Sequence, residues 1–443
     1  MEQLIVVGNG MAGVACLEQI LKHAPKFQIT LFGEETRVNY NRILLSSVLA
    51  GEKDPEEITL NPLDWYREHG IQLRLGVRIV DLDARMKTVT GDDGSVTSFD
   101  RLLLATGSSP FLPPIQGKEK QGIYTFRNLD DTRTLLELAR PGVKAAVIGG
   151  GLLGLEAARG LQVQGCEVTV IHLVDTLMNM QLDRTGGGYL KARMEHLGVR
   201  VLLNRSTRAF LGNGRVEAVE FEDGETIDAD LVVVAAGIRP NVELGRKASL
   251  QVNRGIVVND FMETSHPDIF AVGECVEHRG VVYGLVAPLV EQGKVLAATI
   301  TGNKGPRYAG SSPAARLKIM GVDVFSAGEF TETGGAEAVR YEDPALGIYK
   351  KLVLRDNRLA GVVLVGDASD SHRYMEWLHA GTDLSAKRRN LLFPEPAADF
   401  GLDAAQMPDS EIVCGCMGVS KGAIIGAIHG KGVNTLAQLK EST

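Results

Sequence analysis

The chain is poor in cysteine, with five thiols among 443 residues: Cys16, Cys166, Cys275, Cys414 and Cys416. Cysteines that are few, odd in number and mostly scattered exclude a disulfide framework and indicate a reducing compartment, so we expect a cytoplasmic protein. Enzymes that relay electrons through a dithiol carry C-x4-C or C-x-x-C, and neither pair occurs in this sequence. Thiol chemistry is therefore disfavoured.

Long apolar runs and long basic runs are also missing. No apolar stretch approaches the ~20 residues that a membrane-spanning helix needs. The N-terminus enters an apolar strand without a basic segment, which argues against a secretory signal. A net charge of −8 argues against nucleic acid or an anionic membrane as a partner. With 44% hydrophobic and 23% charged residues, the composition is that of a soluble α/β protein of about two to four domains.

Glycine, by contrast, is abundant, and ten-residue segments at 4–13 and 145–154 carry the same G-x-G-x-x-G pattern after an apolar strand. In this pattern the first glycine makes a tight turn, and the second lets the backbone approach a pyrophosphate. The third allows close packing of helix on strand, while the helix N-terminus faces the anion. One copy is weak support for a nucleotide site, but two copies predict two dinucleotides and electron transfer. The candidate phosphate-binding residues are Gly8, Gly10, Met11, Ala12 and Gly13 in the first copy, and Gly149, Gly151, Leu152, Leu153 and Gly154 in the second.

Both halves follow the same order of elements. The first reads as strand 4–8, helix 11–23 and strand 28–32, followed by Glu34, whose carboxylate is placed to accept the hydroxyls of an adenosine ribose. An apolar strand then closes each half before a turn of small residues: Ala105, Thr106 and Gly107 in the first, Ala236 and Gly237 in the second. Such duplication predicts an α/β protein with two Rossmann-like nucleotide-binding domains.

The C-terminal third reads differently. Residues 310–395 look like an α+β unit, with a hairpin of strands 349–354 and 359–365 and a helix near 369–379. Prolines at 394, 396 and 408 mark a linker over 396–411, and a last unit spans 412–443.

Taken together, these motifs resemble the FAD-dependent pyridine nucleotide-disulfide oxidoreductase superfamily. The resemblance implies that the FAD-binding domain is 1–110 completed by 242–309, and that 111–241 is an inserted NAD(P)-binding domain. It further assigns Asn41, Arg42, Arg127, Gly273 and Glu274 to the FAD site. It implies hydride transfer from NAD(P)H to the flavin, with Glu156 lying near the nicotinamide and orienting it.

Further segments, among them 39–47, 172–178, 283–293 and 413–416, resemble the N-terminal part of the large subunits of assimilatory NAD(P)H-dependent nitrite reductases. This resemblance covers essentially the whole chain. It implies that Cys414 and Cys416 are half of a [2Fe-2S] site in an incomplete helical segment, filled only in a longer chain. The implied acceptor is an iron–sulfur or sirohaem centre in the same longer polypeptide or in a partner. Two alternatives stay open: a free-standing NADH:rubredoxin or ferredoxin reductase, and a low-turnover flavin redox sensor or scaffold.

Coenzyme choice also stays open. His172 stands where a ribose-binding acid is expected, 18 residues after Gly154 (172 − 154). It lacks the carboxylate that favours NADH, and no arginine follows before Arg184 to bind a 2′-phosphate. The sequence slightly favours NADH.

Overall fold

The computed structural model describes residues 1–23, 27–303, 305, 307–311, 314–319, 321–393, 407–414 and 419–442. Backbone contacts divide the chain into two compact units, Met1–Leu384 and Ser385–Thr443. The first unit contains both glycine motifs, and the second contains the C-terminal cysteines. Among the described residues, no helix combines the length and apolar character needed to cross a membrane.

The first glycine motif leaves the central strand of a parallel sheet. Five strands lie in the order Ile269–Ala271, Arg101–Leu104, Glu2–Val7, Phe27–Gly33 and Gln72–Leu75, and every neighbouring pair is parallel. The middle strands are continuous apolar runs because both faces of a parallel sheet are covered. A strand near residue 270 thus completes a sheet that begins at residue 2.

The second motif leaves the central strand of an equivalent sheet. Its parallel strands lie in the order Arg200–Leu202, Glu167–Ile171, Lys144–Ile148, Leu231–Val234 and Ile123–Tyr124. The prediction of two Rossmann-like folds in one chain is therefore confirmed. The two sheets share an order of central strands, so their glycine turns occupy equivalent places at the carboxyl edge, where such folds bind ligands.

Smaller sheets accompany each fold. Each parallel sheet has a three-stranded antiparallel meander: Ile79–Asp83, Thr88–Gly91 and Val96–Ser98 in the first, Thr207–Leu211, Ala218–Phe221 and Thr226–Asp228 in the second. Two further pairs are Ser108–Pro110 with Ile238–Pro240, antiparallel, and Ile256–Val258 with Val276–His278, parallel. The pair at 108–110 and 238–240 is the double crossing between the two folds.

Residues 314–365 form a five-stranded antiparallel sheet. Its order is Ala314–Ile319, Val322–Gly328, Arg358–Val365, Ile348–Arg355 and Glu337–Asp343. The predicted hairpin is present, and its two-residue turn at Asp356 and Asn357 has φ of 49° and 56°. Positive φ at both turn residues gives the backbone twist that tight hairpins favour. Val322, Val324, Tyr349, Val363 and Val365 share a core cluster with the second fold.

The first unit holds nine α-helices and two short 3₁₀ helices within its described residues. The α-helices are Met11–Lys22, Leu45–Leu49, Leu63–Glu68, Leu129–Leu138, Leu152–Val163, Arg184–His196, Glu243–Lys247, Val286–Ile300 and Ser371–Ala380, and the 3₁₀ helices are Arg42–Leu44 and Pro55–Ile58. The predicted helices at 11–23 and 369–379 are confirmed with ends displaced by at most two residues.

The second unit is small. It contains the 3₁₀ helix Ser385–Asn390, the antiparallel strands Ile412–Cys414 and Val419–Ser420, and the helices Lys421–Lys431 and Leu436–Ser442. The Ser420 hydroxyl caps the first of these helices by accepting from the Ala423 amide at 3.2 Å. Cys416 and most of the predicted linker 396–411 lie outside the described residues, so the cluster half-site stays a prediction.

Candidate functional site

The first glycine turn has one closed side and one open side. A Cβ at Gly8, whose φ is +119°, would overlap the carbonyl oxygen of Ala105, and a Cβ at Gly13 would overlap that of Gly8. A Cβ at Gly10 would meet nothing within 4 Å. No side chain caps the helix that starts at Met11, so the amides of Met11, Ala12 and Gly13 face this open side. The turn fits an anion that approaches the backbone at Gly10.

The second turn repeats this geometry. A Cβ at Gly149 would overlap the Ala235 carbonyl, a Cβ at Gly154 would overlap that of Gly149, and Gly151 again faces open space. The backbone angles agree as well, with φ, ψ of −93°, −179° at Gly10 and −85°, −178° at Gly151. Each helix then runs for 12 residues without a capping side chain. The helix at the second turn begins with Leu152 and Leu153. The chain thus presents two matching anion cradles.

The crossing between the folds lies beside both turns. Asn241 joins the two strands of the crossing. Its side-chain amide donates to the Thr106 backbone carbonyl at 2.8 Å, and its backbone carbonyl accepts from the Thr106 hydroxyl at 2.8 Å. Gly107 accepts from the Asn241 backbone amide at 2.9 Å. In the second fold, Ala236 and Gly237 follow the closing strand, and Gly237 has φ of 114°. The carbonyl of Gly237 accepts from the Phe111 amide at 2.9 Å, so each small-residue turn is hydrogen-bonded to the opposite end of the crossing.

Glu34 and its neighbour Glu35 face different surroundings. The Glu34 side chain is 69% exposed, and its carboxylate lies 3.8 Å from the Arg78 guanidinium. Glu35 accepts a hydrogen bond from the Tyr40 hydroxyl at 2.7 Å and pairs with Arg42. The sequence interpretation missed Glu35, although an acid seven residues before a candidate phosphate-binding arginine was a usable signal.

A charged cluster links the two folds next to the first turn. Arg127 pairs with Glu274, and both contact the Ser108 hydroxyl, which donates to Glu274 at 2.7 Å and accepts from Arg127 at 2.8 Å. Arg42 donates to the Arg127 carbonyl at 3.2 Å. The structure therefore brings together Arg42, Arg127 and Glu274, three predicted residues far apart in sequence.

Asn41 and Gly273 have backbone roles at the edge of this cluster. Asn41 is buried, and its side-chain oxygen accepts from the Ile43 amide at 3.0 Å, which caps the 3₁₀ helix that carries Arg42. Gly273 has φ of +98°, and a Cβ there would lie 2.8 Å from the Ala12 Cβ. Its amide donates to the buried Gln292 side chain at 3.0 Å. Glu274 is thereby held beside the first glycine turn.

His172 lies against the second glycine turn. Its Nδ1 accepts a hydrogen bond from the Gly150 amide at 3.0 Å. Burial lowers the pKa of His172, and an Nδ1 that accepts a backbone N–H leaves the proton of the neutral ring on Nε2. The ring is therefore neutral and donates at Nε2. It cannot accept hydrogen bonds from ribose hydroxyls in the way that a carboxylate at this position would.

Glu156 lies one turn into the second helix. It is half-buried, and burial raises its pKa to about 8. A carboxyl group with this pKa exists largely as the neutral acid at pH 7, so it donates a hydrogen bond as readily as it accepts one. Because Glu156 lies on the helix that begins at the second glycine turn, this neutral acid is a candidate contact for a ligand of that turn.

The three described cysteines outside the C-terminal unit are buried and free of disulfides. Burial raises the pKa of the Cys16, Cys166 and Cys275 thiols. Cys275 lies two residues after Gly273 in the apolar core, and its thiol donates weakly to the backbone oxygens of Val272 at 3.3 Å and Leu104 at 3.7 Å. Thiols held protonated are poor nucleophiles, so the geometry agrees with an enzyme that needs no dithiol relay.

Two nucleotide-binding folds with open glycine turns, joined by a charged cluster, define a two-dinucleotide oxidoreductase class. A family model described as pyridine nucleotide-disulphide oxidoreductase matches residues 2–293, and a rubredoxin NAD+ reductase C-terminal domain model matches residues 313–382. The chain belongs to the pyridine nucleotide-disulphide oxidoreductase family. Membership implies use of FAD and of a pyridine nucleotide.

Individual proteins with similar sequences or structures show which members of this family the chain resembles. The chain is 49% identical to a nitrite reductase [NAD(P)H] of Bacillus subtilis (strain 168), over 100% of this chain and 55% of the relative. It is 46% identical to an assimilatory nitrate reductase electron transfer subunit of the same organism, over 100% of this chain and 57% of the relative. A crystal structure of a covalent putidaredoxin reductase–putidaredoxin complex matches with TM-score 0.78 and 26% identity, covering 86% of this chain and 93% of that one. The chain thus spans little more than half the length of the two curated relatives.

Proposed function

We propose that this chain is an NAD(P)H-dependent flavoprotein oxidoreductase that passes electrons from NAD(P)H through FAD to an iron–sulfur or sirohaem acceptor. The observation that carries the proposal is the duplicated turn, because Gly10 and Gly151 both face open space beside an uncapped helix. One such cradle suffices for a single dinucleotide. Two in one chain, joined by a double crossing, suit transfer between two dinucleotides.

The first turn is the proposed FAD site. Gly8 and Gly13 shape the turn, and Gly10 leaves room for the pyrophosphate. The guanidinium of Arg42, which already bonds Glu35 and the Arg127 carbonyl, would add positive charge near it. Glu274, held by Arg127 and Ser108, would accept hydrogen bonds from the hydroxyls of the flavin's ribityl chain. When bound, the flavin supplies the hydride-accepting and electron-relaying chemistry. The protein contributes placement and electrostatics.

The second turn is the proposed NAD(P)H site. Gly151 and the amides at Leu152 and Leu153 would bind the pyrophosphate. The neutral carboxyl of Glu156 would position the nicotinamide by hydrogen bonding, and it adds no negative charge near the hydride donor. NADH is the favoured coenzyme, because the neutral His172 presents no cation for a 2′-phosphate.

We place the chain in nitrite or nitrate assimilation because of the names of its relatives, and the acceptor is part of this proposal. Cys414 and Cys416 would supply two of the four ligands that an iron–sulfur centre needs. The match of residues 313–382 to the C-terminal domain of rubredoxin NAD+ reductases favours a second candidate, reduction of a separate small electron carrier.

Two assays on the purified chain test the proposal. We expect a yellow protein that releases FAD on denaturation and consumes NADH steadily with ferricyanide as acceptor. Colourless, folded protein that cannot be reconstituted with FAD would overturn the flavoprotein assignment. Flavin without turnover would favour the sensor or scaffold alternative.

The acceptor needs a separate test. Two acceptors are compared: a rubredoxin added to this chain, and the [2Fe-2S] centre of a longer version of the chain that includes the second cysteine pair implied by the resemblance. We expect the extended chain to bind iron and sulfide and to accept electrons from NADH. Fast reduction of rubredoxin, with no iron bound to the extended chain, would favour the second candidate.

A further inference from the structure

The C-terminal sheet packs on the second fold through a shared apolar core, and within that contact it holds one carboxylate, that of Asp183. We propose that Lys351 and Tyr349 are positioning residues for the nicotinamide dinucleotide, because they hold Asp183 and through it the second glycine turn. The proposal rests on the second turn being the NAD(P)H site.

Asp183 has partners on both of its oxygens. One oxygen accepts from the Gly186 amide at 3.0 Å and caps the helix Arg184–His196. The other accepts from the Tyr349 hydroxyl at 2.7 Å and from Lys351 Nζ at 2.8 Å. Tyr349 is fully buried and the Lys351 side chain is 4% exposed. An ion pair so shielded from water fixes geometry far better than an exposed pair does.

The helix that Asp183 caps contacts the segment next to the glycine turn. A Cβ at Gly187 would overlap the Thr176 hydroxyl and come 3.0 Å from the Leu177 carbonyl, so the helix start lies directly on residues 176–177. The next residue, Met178, donates its amide to the Gly150 carbonyl at 2.8 Å. Contacts therefore run without a gap from Lys351 to Gly150, the residue between the first two glycines of the motif.

The same segment also carries the proposed adenosine-binding position. His172 opens it and bonds the Gly150 amide, while Met178 bonds the Gly150 carbonyl. The backbone N–H and the backbone C=O of Gly150 are thus both hydrogen-bonded to the 172–183 segment. A displacement of Asp183 would move this segment and, with it, the turn that the pyrophosphate approaches.

Lys350 offers a matched control. It precedes Lys351 in the strand Ile348–Arg355, so its side chain points to the opposite face of the sheet. It is equally buried, at 7% exposed, and pairs with Asp367 at 2.6 Å and Asp370 at 3.1 Å, both within the C-terminal domain. Replacing either lysine removes a buried ion pair from one strand, but only Lys351 reaches the second fold.

The experiment compares Lys351→Met with Lys350→Met by steady-state kinetics with NADH and ferricyanide, alongside thermal midpoints. Both variants should lose thermal stability. We expect Lys351→Met to raise KM for NADH about fivefold with kcat within about twofold of wild type, the size typical of coupling through a contact network. Lys350→Met should leave KM within about twofold of wild type. Tyr349→Phe, which removes one hydroxyl, should raise KM about twofold and decides the matter if a lysine variant does not fold.

The outcomes separate the two proposals. Wild-type protein that neither binds nor oxidises NADH would overturn the proposed function itself. Wild-type activity together with equal KM values in the Lys351 and Lys350 variants, or with an unchanged KM in Tyr349→Phe, would overturn the positioning role alone.

Discussion

Each glycine turn faces the end of the neighbouring strand across a narrow space. At the first turn, Asn9 of the turn fills this space, and the strand residue opposite it is Gly33. At the second turn the arrangement is reversed, because His172 at the strand end fills the space and the turn residue opposite it is Gly150. A Cβ at Gly33 would lie 2.9 Å from the Asn9 Cβ, and a Cβ at Gly150 would lie 2.7 Å from the His172 ring. The two turns therefore have the same backbone path but are packed from opposite sides, so the neighbouring side chains differ while the backbone cradle does not.

The comparison can first be tested at the middle glycines, where we expect the largest effect. Gly10→Val should abolish FAD retention, while Gly151→Val should leave the protein yellow and abolish NADH oxidation. In both cases a side chain would occupy the space through which the pyrophosphate approaches the backbone. The flavin content and the NADH–ferricyanide rate of the two variants check this. Loss of the same property in both variants would mean that the turns do not have separate roles.

Glu156 distinguishes the second helix from the first, since Ala15 holds the equivalent position five residues after Gly10 (15 − 10 and 156 − 151). Because its folded pKa of about 8 exceeds the ordinary 4.5, the folded chain keeps a proton that the unfolded chain releases between these values. Wild-type stability should therefore fall as the pH rises from about 4.5 to about 8.

Glu156→Gln removes that dependence. We expect its stability relative to wild type to rise from near zero at pH 4 to about 2–4 kcal/mol at pH 9, measured by urea unfolding without added nucleotide. Glu195→Gln, at an exposed position on another helix, is the control. A difference between Glu156→Gln and wild type that does not change with pH would contradict the burial argument.

The reversed packing predicts a compensating pair. Gly150→Ala should raise the Kd for NADH about tenfold, because the new methyl group would overlap both the His172 ring and the Leu177 side chain, each at 2.7 Å. Adding His172→Ala should restore part of that loss by making room for it. Gly188→Ala, where a Cβ would meet nothing within 4 Å, is the matched glycine control. Additive losses in the double variant would show that the two positions do not share one space.

How far the sequence could predict the site is clearest at these positions. The glycine turns and the strands and helices beside them follow from local pattern, and the first helix, predicted at 11–23, is Met11–Lys22. The position equivalent to the ribose-binding acid was harder to predict, because the spacing was counted from the last glycine of each motif. Val7 pairs with Phe32 and Ile148 with Ile171, so His172 is equivalent to Gly33, and Glu34 is equivalent to Leu173. The connection before the second strand is two residues shorter in the second fold, which a count of residues does not reveal.

Long-range contacts could not be predicted from the sequence either. The cluster of Arg127, Ser108 and Glu274 depends on where the crossing brings the second fold, and resemblance named only Arg127 and Glu274. The pairing of Lys351 with Asp183 joins residues 168 apart and has no local pattern. From local sequence alone, two adjacent lysines in a strand predict an exposed edge strand. Burial of both lysines requires that both faces of the sheet are covered, which the local sequence does not indicate.

The smallest predicted effect concerns coenzyme choice. His172→Glu should shift the preference towards NADH by about threefold to tenfold in kcat/KM, since a carboxylate accepts from the ribose hydroxyls and repels a 2′-phosphate. Leu173→Glu, which places an acid at the position equivalent to Glu34, is the comparison variant. A shift with Leu173→Glu and none with His172→Glu would move the proposed ribose contact to residue 173.

Anaerobic titration of the wild-type protein with NADH tests the central claim, that the two turns bind two dinucleotides with separate roles. We predict that about one equivalent of NADH per flavin bleaches the flavin absorbance, because the second turn would bring the nicotinamide to a flavin bound at the first. Flavin that stays oxidised in excess NADH would contradict the account.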